Sequence, residues 1–433
     1  MPEPLPWRRW AAVPPESMEM VALSPFWEDE EPMDHDILSP DRLADPYPYF
    51  AEMRATCPVH WNEQYRAWFV YRYDDVVAAL RDPAFSSDRV RPVYNERLSG
   101  EQRQARKATY DVLQHWMVFL DQPDHTRIRK LVMPAFTPKA VASMRPQVEK
   151  VVEEAVGAIT DRGDFDLVRD LAYPIPAVVI AELMGVPAQD RELFKQWSDE
   201  IVVLVFGAKS TPDRHERAQR ALTELTEYLR SHISRLRKQP DDNLISRILE
   251  SREQDPPLTD DEVVSTCALL IFGGHETTTN MIANGTRAFL QNPSQWELLK
   301  ADPAMARSAV EEVLRFDGPA KMAMRRVAKD VELRGSRMRA GDTVYLVQAS
   351  ANRDPAVFDH PDTFDITRTS NRHVGFGFGL HHCLGNFLAR LEGHLAFEAL
   401  ATGCPDIEIA DSAQQWHPTL ISRGMTSFPV TNR

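Results

Sequence analysis

The longest regular pattern of polar and apolar positions lies in the second half of the chain. Thr259-Asp260-Asp261-Glu262 forms a capping box, in which a hydroxyl and a carboxylate three residues later close a first helical turn. Apolar residues then recur at helical spacing to about residue 290, and the pattern stops before Pro293. At 1.5 Å per residue, about 32 residues span about 48 Å, enough to cross a whole domain. The middle of this run, residues 267–272, is apolar on every side, which predicts a buried helix. A second helix opens at Asp302-Pro303, with a capping side chain and a proline in the first turn. Residues 191–207 and 213–238 read as two amphipathic helices, and a further helical run follows at 386–401. Alternation of period two is rarer. Residues 59–61 and 68–71 flank the polar turn Asn62-Glu63-Gln64-Tyr65 and predict a hairpin. Residues 331–333 and 343–347 flank Ala340-Gly341-Asp342 and predict another. No internal repeat or long linker interrupts the series. The predicted fold class is mainly α with small β-sheets.

Composition narrows the function. The chain has 433 residues, 43% of them hydrophobic, which is enough for a large core. Its 50 basic and 64 acidic residues give a formal charge of −14, which argues against non-specific binding of nucleic acid. Four cysteines, Cys57, Cys267, Cys383 and Cys404, show no paired spacing, so a reducing, cytoplasmic setting is expected and no disulfide framework. No CxxC or HxxxH is present to complete a zinc site around His381 and Cys383. No run of 18 apolar residues predicts a membrane span. Trp7-Arg8-Arg9-Trp10 is followed by no apolar run that would make a signal peptide. Residues 1–40, rich in proline and carrying Glu28-Asp29-Glu30-Glu31, read as an extended or partly ordered arm ahead of a single domain at 41–433.

The chemistry starts at Cys383. It sits in Phe376-Gly377-Phe378-Gly379-Leu380-His381-His382-Cys383-Leu384-Gly385, directly ahead of the helical run at 386–401. Glycines let the backbone turn tightly, so that N–H groups can point at a sulfur, and a helix that starts just after adds the positive end of its dipole. This arrangement suits an anionic sulfur ligand, with a haem thiolate the strongest candidate. A buried structural cysteine is the plain alternative for any cysteine taken alone. The order Phe-Gly-x-Gly-x-His-x-Cys-x-Gly resembles the haem-binding loop of the cytochrome P450 family, with all six defining positions filled by Phe376, Gly377, Gly379, His381, Cys383 and Gly385.

Other stretches extend the resemblance over roughly residues 40–430. Gly273-Gly274-His275-Glu276-Thr277-Thr278-Thr279 weakens the long helix at its buried centre, since glycine costs about 1 kcal/mol there relative to alanine. Alone, this would be a tolerated bend. It also resembles the family's oxygen-binding groove, with Glu276 as the acid and Thr277 as the alcohol that relay protons, and with Gly273 in place of the commoner alanine. Glu312 and Arg315 share a helix face at i, i+3 and resemble the family's structural Glu-x-x-Arg. His125 and Arg129 converge at i, i+4 on one spot, which suits a buried anion as well as a solvated basic face. The resemblance implies that His125, Arg129 and His381 hold haem propionates, joined by Arg325 or Arg326; spacing to Asp330 favours Arg325. His373 shapes the loop, and Arg353 or Arg368 pairs with Glu312. The β-rich region is expected mainly at 55–75 and 331–350, beside a large helical domain.

Taken whole, the resemblance implies a soluble, bacterial-type haem-thiolate monooxygenase. It would bind haem b and O2 and insert one oxygen atom into a hydrophobic small molecule by hydroxylation, epoxidation or oxidative dealkylation. Glu276 and Thr277 would be its catalytic pair. No flavin or iron–sulfur motif is present, so electrons from NAD(P)H would come through a separate ferredoxin and ferredoxin reductase. A substrate pocket is expected from residues 90–114, 204–207, 269–273, 319–324 and 420–421. A peroxide-driven peroxygenase of the same fold and a haem-thiolate sensor are the other classes; the acid–alcohol pair argues against the first and the lack of an output domain against the second.

Overall fold

The computed structural model describes residues 35–207, 213–250, 257–412 and 414–433. Most of the arm expected at 1–40 therefore lies outside the described residues. Residues Ile37–Arg433 form one compact unit, and Ile37 is already fully buried in it.

Helices dominate. Those that build or support the site are α1 (Asp124–Val132), α2 (Pro174–Leu183), α3 (Arg191–Val205), α4 (Arg214–Lys238), α5 (Asp260–Gln291), α6 (Ala306–Phe316) and α7 (Asn386–Gly403). Helix α5 is the long helix that the periodicity predicts. Its capping box forms as expected: Thr259 Oγ1 accepts from Glu262 N at 3.2 Å, and Glu262 Oε2 accepts from Thr259 N at 2.8 Å. It runs unbroken through Gly273-Gly274, packed against α2, α4 and α7, so neighbouring helices override the weak propensity of that stretch. Gly274 is needed for this packing, since a Cβ there would stand 2.9 Å from Ile180 of α2. At Asp302-Pro303 the chain makes one 3-10 turn, Pro303–Met305, before α6 begins.

The first predicted hairpin is present as β1 (Val59–Asn62) and β2 (Ala67–Val70). The second is not. Strand β5 (Val331–Leu333) turns back through Arg334 and Gly335, both at positive φ, and pairs with β6 (Ser336–Met338). Strand β7 (Thr343–Leu346) instead lies parallel to β2 and antiparallel to β4 (Ala323–Val327), in a five-stranded sheet of order β1-β2-β7-β4-β3, where β3 is Phe85–Ser86. Two tight turns, at 334–335 and 341–342, compete over this segment, and the two-residue one closes the hairpin. The sheet thus also draws on residues outside 55–75 and 331–350. A smaller sheet joins Asp164–Asp166, Pro429–Asn432 and Ile407–Ile409. The main core surrounds α5 and α7, and two satellite cores cover the faces of the five-stranded sheet.

Candidate active site

Between α5 and the loop that precedes α7 lies a cavity of 380 Å³. One side of it is the Cys383 loop. Gly377 and Gly379 take φ of +72° and +71°, a left-handed backbone that glycine adopts without strain. The turn is tied by Gly377 N to Val374 O at 2.9 Å and by Cys383 N to Phe376 O at 2.9 Å. Gly385, which caps α7, donates its N–H toward the Cys383 sulfur. Burial pushes the Cys383 thiol up, against the pull of this N–H and of Arg129 and Arg390. A thiolate at this position therefore calls for a further positive charge in direct contact, which a metal ion supplies.

The cationic groups line the same cavity. His125 is buried in α1, its ring 4.3 Å from that of His381, and its Nδ1 has no hydrogen-bond partner. Arg129 reaches from α1 to donate to His382 O at 2.7 Å. Arg325 points inward from β4, donating to Met324 O at 2.9 Å, whereas Arg326 turns to Glu96 at the surface. Burial and the neighbouring cations push His125 down to about 4 and His381 down to about 2, so both rings are neutral hydrogen-bonding groups at pH 7. Arg129 and Arg325 form no ion pair among the described residues.

The predicted groove lines the opposite wall. Gly273 and Thr277 face the cavity, and Thr277 Oγ1 donates to Gly273 O at 3.1 Å, a local bond that leaves the helix continuous. Glu276 does not line the cavity. It is buried behind α5, where its Oε1 accepts from Asn280 Nδ2 at 3.1 Å. One residue along a helix turns the side chain by about 100°; Thr277 and Thr278 fall on the cavity side of α5 and Glu276 falls outside it. Of the predicted site residues, Gly273, Thr277, His125, Arg129, Arg325, Phe376, Gly377, His381, Cys383 and Gly385 thus meet at one cavity, and Glu276 stands apart.

The supporting residues resolve as well. Glu312 takes Arg368, not Arg353, as its second arginine, at 3.2 Å; Arg353 goes to Phe316 O and Asp362. His373 bonds Glu311 at 2.9 Å and accepts from Gly375 N at 3.1 Å, which holds the entry to the loop. Glu311 also pairs with Arg390, and these partners hold its carboxyl down to about 2 despite burial.

Three features of the cavity are not evident in the sequence. Residues 90–114 do not line it; Arg89 with Trp116, Met117, Val118 and Phe119 does. Thr278 lines it beside Thr277. Glu392 also lines it, 2% exposed, on the apolar face of α7 between Leu388 and Leu395. A lone acid among leucines at i−4 and i+3 was a readable signal.

A family model described as "Cytochrome P450" matches residues 59–302 and 301–401. The chain belongs to the cytochrome P450 family. Cytochrome P450 monooxygenase PikC of Streptomyces venezuelae is 38% identical over 407 residues, 92% of this chain and 94% of that one. Among solved structures, P450BioI in complex with hexadec-9Z-enoic acid ligated acyl carrier protein covers 91% of this chain and 99% of its own, at 33% identity and a TM-score of 0.84. The myxobacterial cytochrome P450 CYP267B1 in complex with myristic acid covers 92% and 99%, at 37% identity and a TM-score of 0.84. This cytochrome P450 is accordingly an oxidoreductase of the monooxygenase type. Its cavity fits the family's haem on its own evidence: a thiol whose anionic form the Gly385 N–H and Arg129 favour, arginines along one edge with no ion pair among the described residues, and a buried imidazole nitrogen without a hydrogen-bond partner. No helix among the described residues is long and apolar enough to cross a membrane.

Proposed function

We propose that this protein inserts one oxygen atom from O2 into a hydrophobic small molecule at a haem b held by Cys383. The observation that carries this reading is the meeting of the Cys383 sulfur with Arg129 and Arg325, which form no ion pair among the described residues, at one cavity. When bound, the haem supplies oxygen activation and the oxidation of an unactivated C–H bond. The protein's part is binding, charge and protons. Arg129 and Arg325, with His125 and His381 as neutral donors, would hold the two propionates. The side chains of Phe272, Leu269, Phe206 and Met324 give the chamber an apolar wall that excludes water and favours an apolar substrate. The solved relatives that hold myristic acid or an acyl chain support this substrate class.

Thr277 is the group placed to hand a proton to the chamber. Glu276, one position back and turned away, would resupply it from behind α5. Electrons would come from NAD(P)H through a ferredoxin reductase and a ferredoxin docking on the sulfur side, where Leu380 and Phe387 flank Cys383 and are 38% and 41% exposed. The deciding experiment is the absorption spectrum of the dithionite-reduced, carbon-monoxide-bound protein. A Soret band shifted far to the red is expected. A band at the position of histidine ligation, or no haem band, would overturn the assignment.

A further inference from the structure

The cofactor expected here brings two carboxylates. The cavity wall brings three guanidiniums, those of Arg89, Arg129 and Arg325, together with His125 and His381. Two arginines and two imidazole donors already match two propionates in charge and in hydrogen bonds, so Arg89 is surplus.

Among the described residues it has no ion pair. Arg89 comes just after β3 and enters the wall beside Phe119, its guanidinium 4.6 Å from the ring centroid. Its Nη1 donates to Met324 O at 3.1 Å, the same oxygen to which Arg325 donates at 2.9 Å. Two like charges thus share one carbonyl, and neither has a carboxylate partner among the described residues. Burial, then Arg325, push Arg89 down to about 10, which still leaves it charged at pH 7. It is half-buried, and it lines the apolar chamber together with Phe206, Leu269 and Ile421. An arginine held in a fixed fork against an apolar chamber, with no internal acid, is built to receive a planar anion from outside.

We propose that Arg89 anchors a carboxylate on an otherwise apolar substrate, and so sets which carbon the chamber presents for oxidation. This rests on the proposed haem monooxygenase function. A carboxylate in the fork neutralises Arg89, separates it electrostatically from Arg325, and leaves the apolar remainder of the molecule to fill the chamber.

The test uses the holoenzyme and ω-(imidazol-1-yl)alkanoic acids from hexanoic to dodecanoic, each beside its methyl ester. The imidazole binds iron and reports binding through the Soret band, so the acid-to-ester affinity ratio isolates the carboxylate. A charge-assisted bond predicts that at least one acid in the series binds about tenfold or more tightly than its ester. In Arg89→Gln that ratio falls to about one while ester affinity stays, and Arg89→Lys restores part of it. Absence of any acid preference in the native enzyme overturns the proposal, as does a preference that survives Arg89→Gln. An unchanged ratio with faster haem loss to apomyoglobin overturns it too, and assigns Arg89 to the propionates instead. The reduced carbon-monoxide spectrum of each protein keeps the two readings apart: a far-red Soret band with no acid preference sinks the anchor alone, whereas a missing band sinks the monooxygenase function on which it rests.

Discussion

Arg315→Met is the substitution with the largest effect that can be worked from the structure. Arg315 and Glu312 are 1% and 0% exposed. The guanidinium donates to Glu312 through Nε at 2.8 Å and Nη2 at 2.7 Å. It also donates to three backbone carbonyls, those of Asn352 at 3.1 Å, Pro361 at 2.6 Å and Thr363 at 2.9 Å. These carbonyls belong to the stretch that leads to the Cys383 loop. Breaking a buried pair from one side costs about 3–5 kcal/mol. Leaving the buried Asn352 carbonyl without a donor adds about 1 kcal/mol, and the half-buried bonds to Pro361 and Thr363 add less. The sum, about 4–7 kcal/mol, rivals the whole stability of many domains. Glu312→Gln is the milder partner. It keeps the shape and the donors Asp365 N and Asn371, but leaves the buried Arg315 guanidinium without its carboxylate, and about 3–5 kcal/mol is expected. The assay is urea unfolding of the holoprotein, followed by far-ultraviolet circular dichroism and by the Soret band. Arg315→Met should leave little folded, haem-loaded protein, and Arg315→Lys should fall between it and the native chain. Native-like stability in Arg315→Met, within about 2 kcal/mol, would refute the view that this one side chain ties the stretch at 352–363 to α6.

Cys383→Ser should lose the far-red Soret band of the reduced carbon-monoxide complex while keeping its far-ultraviolet dichroism; a retained band would remove Cys383 as the ligand. Thr277→Ala should raise hydrogen peroxide released per NAD(P)H consumed, and unchanged coupling would take Thr277 out of proton delivery. Burial pushes the Glu392 carboxyl up to about 8, with Thr278 as its opposing partner. The folded protein therefore holds a proton that the unfolded chain has released, and stability should fall as pH rises from about 4.5 to about 8. Glu392→Gln should flatten that slope and raise stability at pH 8 by on the order of 3–5 kcal/mol, read from denaturation midpoints across pH; an unchanged slope would contradict the buried, protonated carboxyl. Gly285→Ala would set a Cβ 2.4 Å from Phe397 and should cost about 1–3 kcal/mol in the same titration.

The features legible in the sequence are those written in consecutive residues. The start of helix α5 is legible to within a residue because the signals at Thr259 and Glu262 are local and cooperative. The cysteine loop is legible for the same reason: glycines at 377 and 379 are demanded by backbone angles, whatever packs around them. Arg325 is preferred to Arg326 on its spacing to Asp330, and alternation along a strand sends the two to opposite faces. The misreadings share a different cause. Strand β7 departs from its predicted partner because its pairing with β2 spans more than 270 residues, and period-two alternation says nothing about which edge a strand will meet. The adjacency of Glu276 and Thr277 in the chain does not tell which of them lines the cavity, and only Thr277 does. Arg89 escapes notice because its role depends on Arg325 and Met324, far away in sequence, and on the absence of a nearby acid. A surplus charge is defined only once every neighbour is known, so the residue that best distinguishes this cavity is the one that no local pattern could have marked.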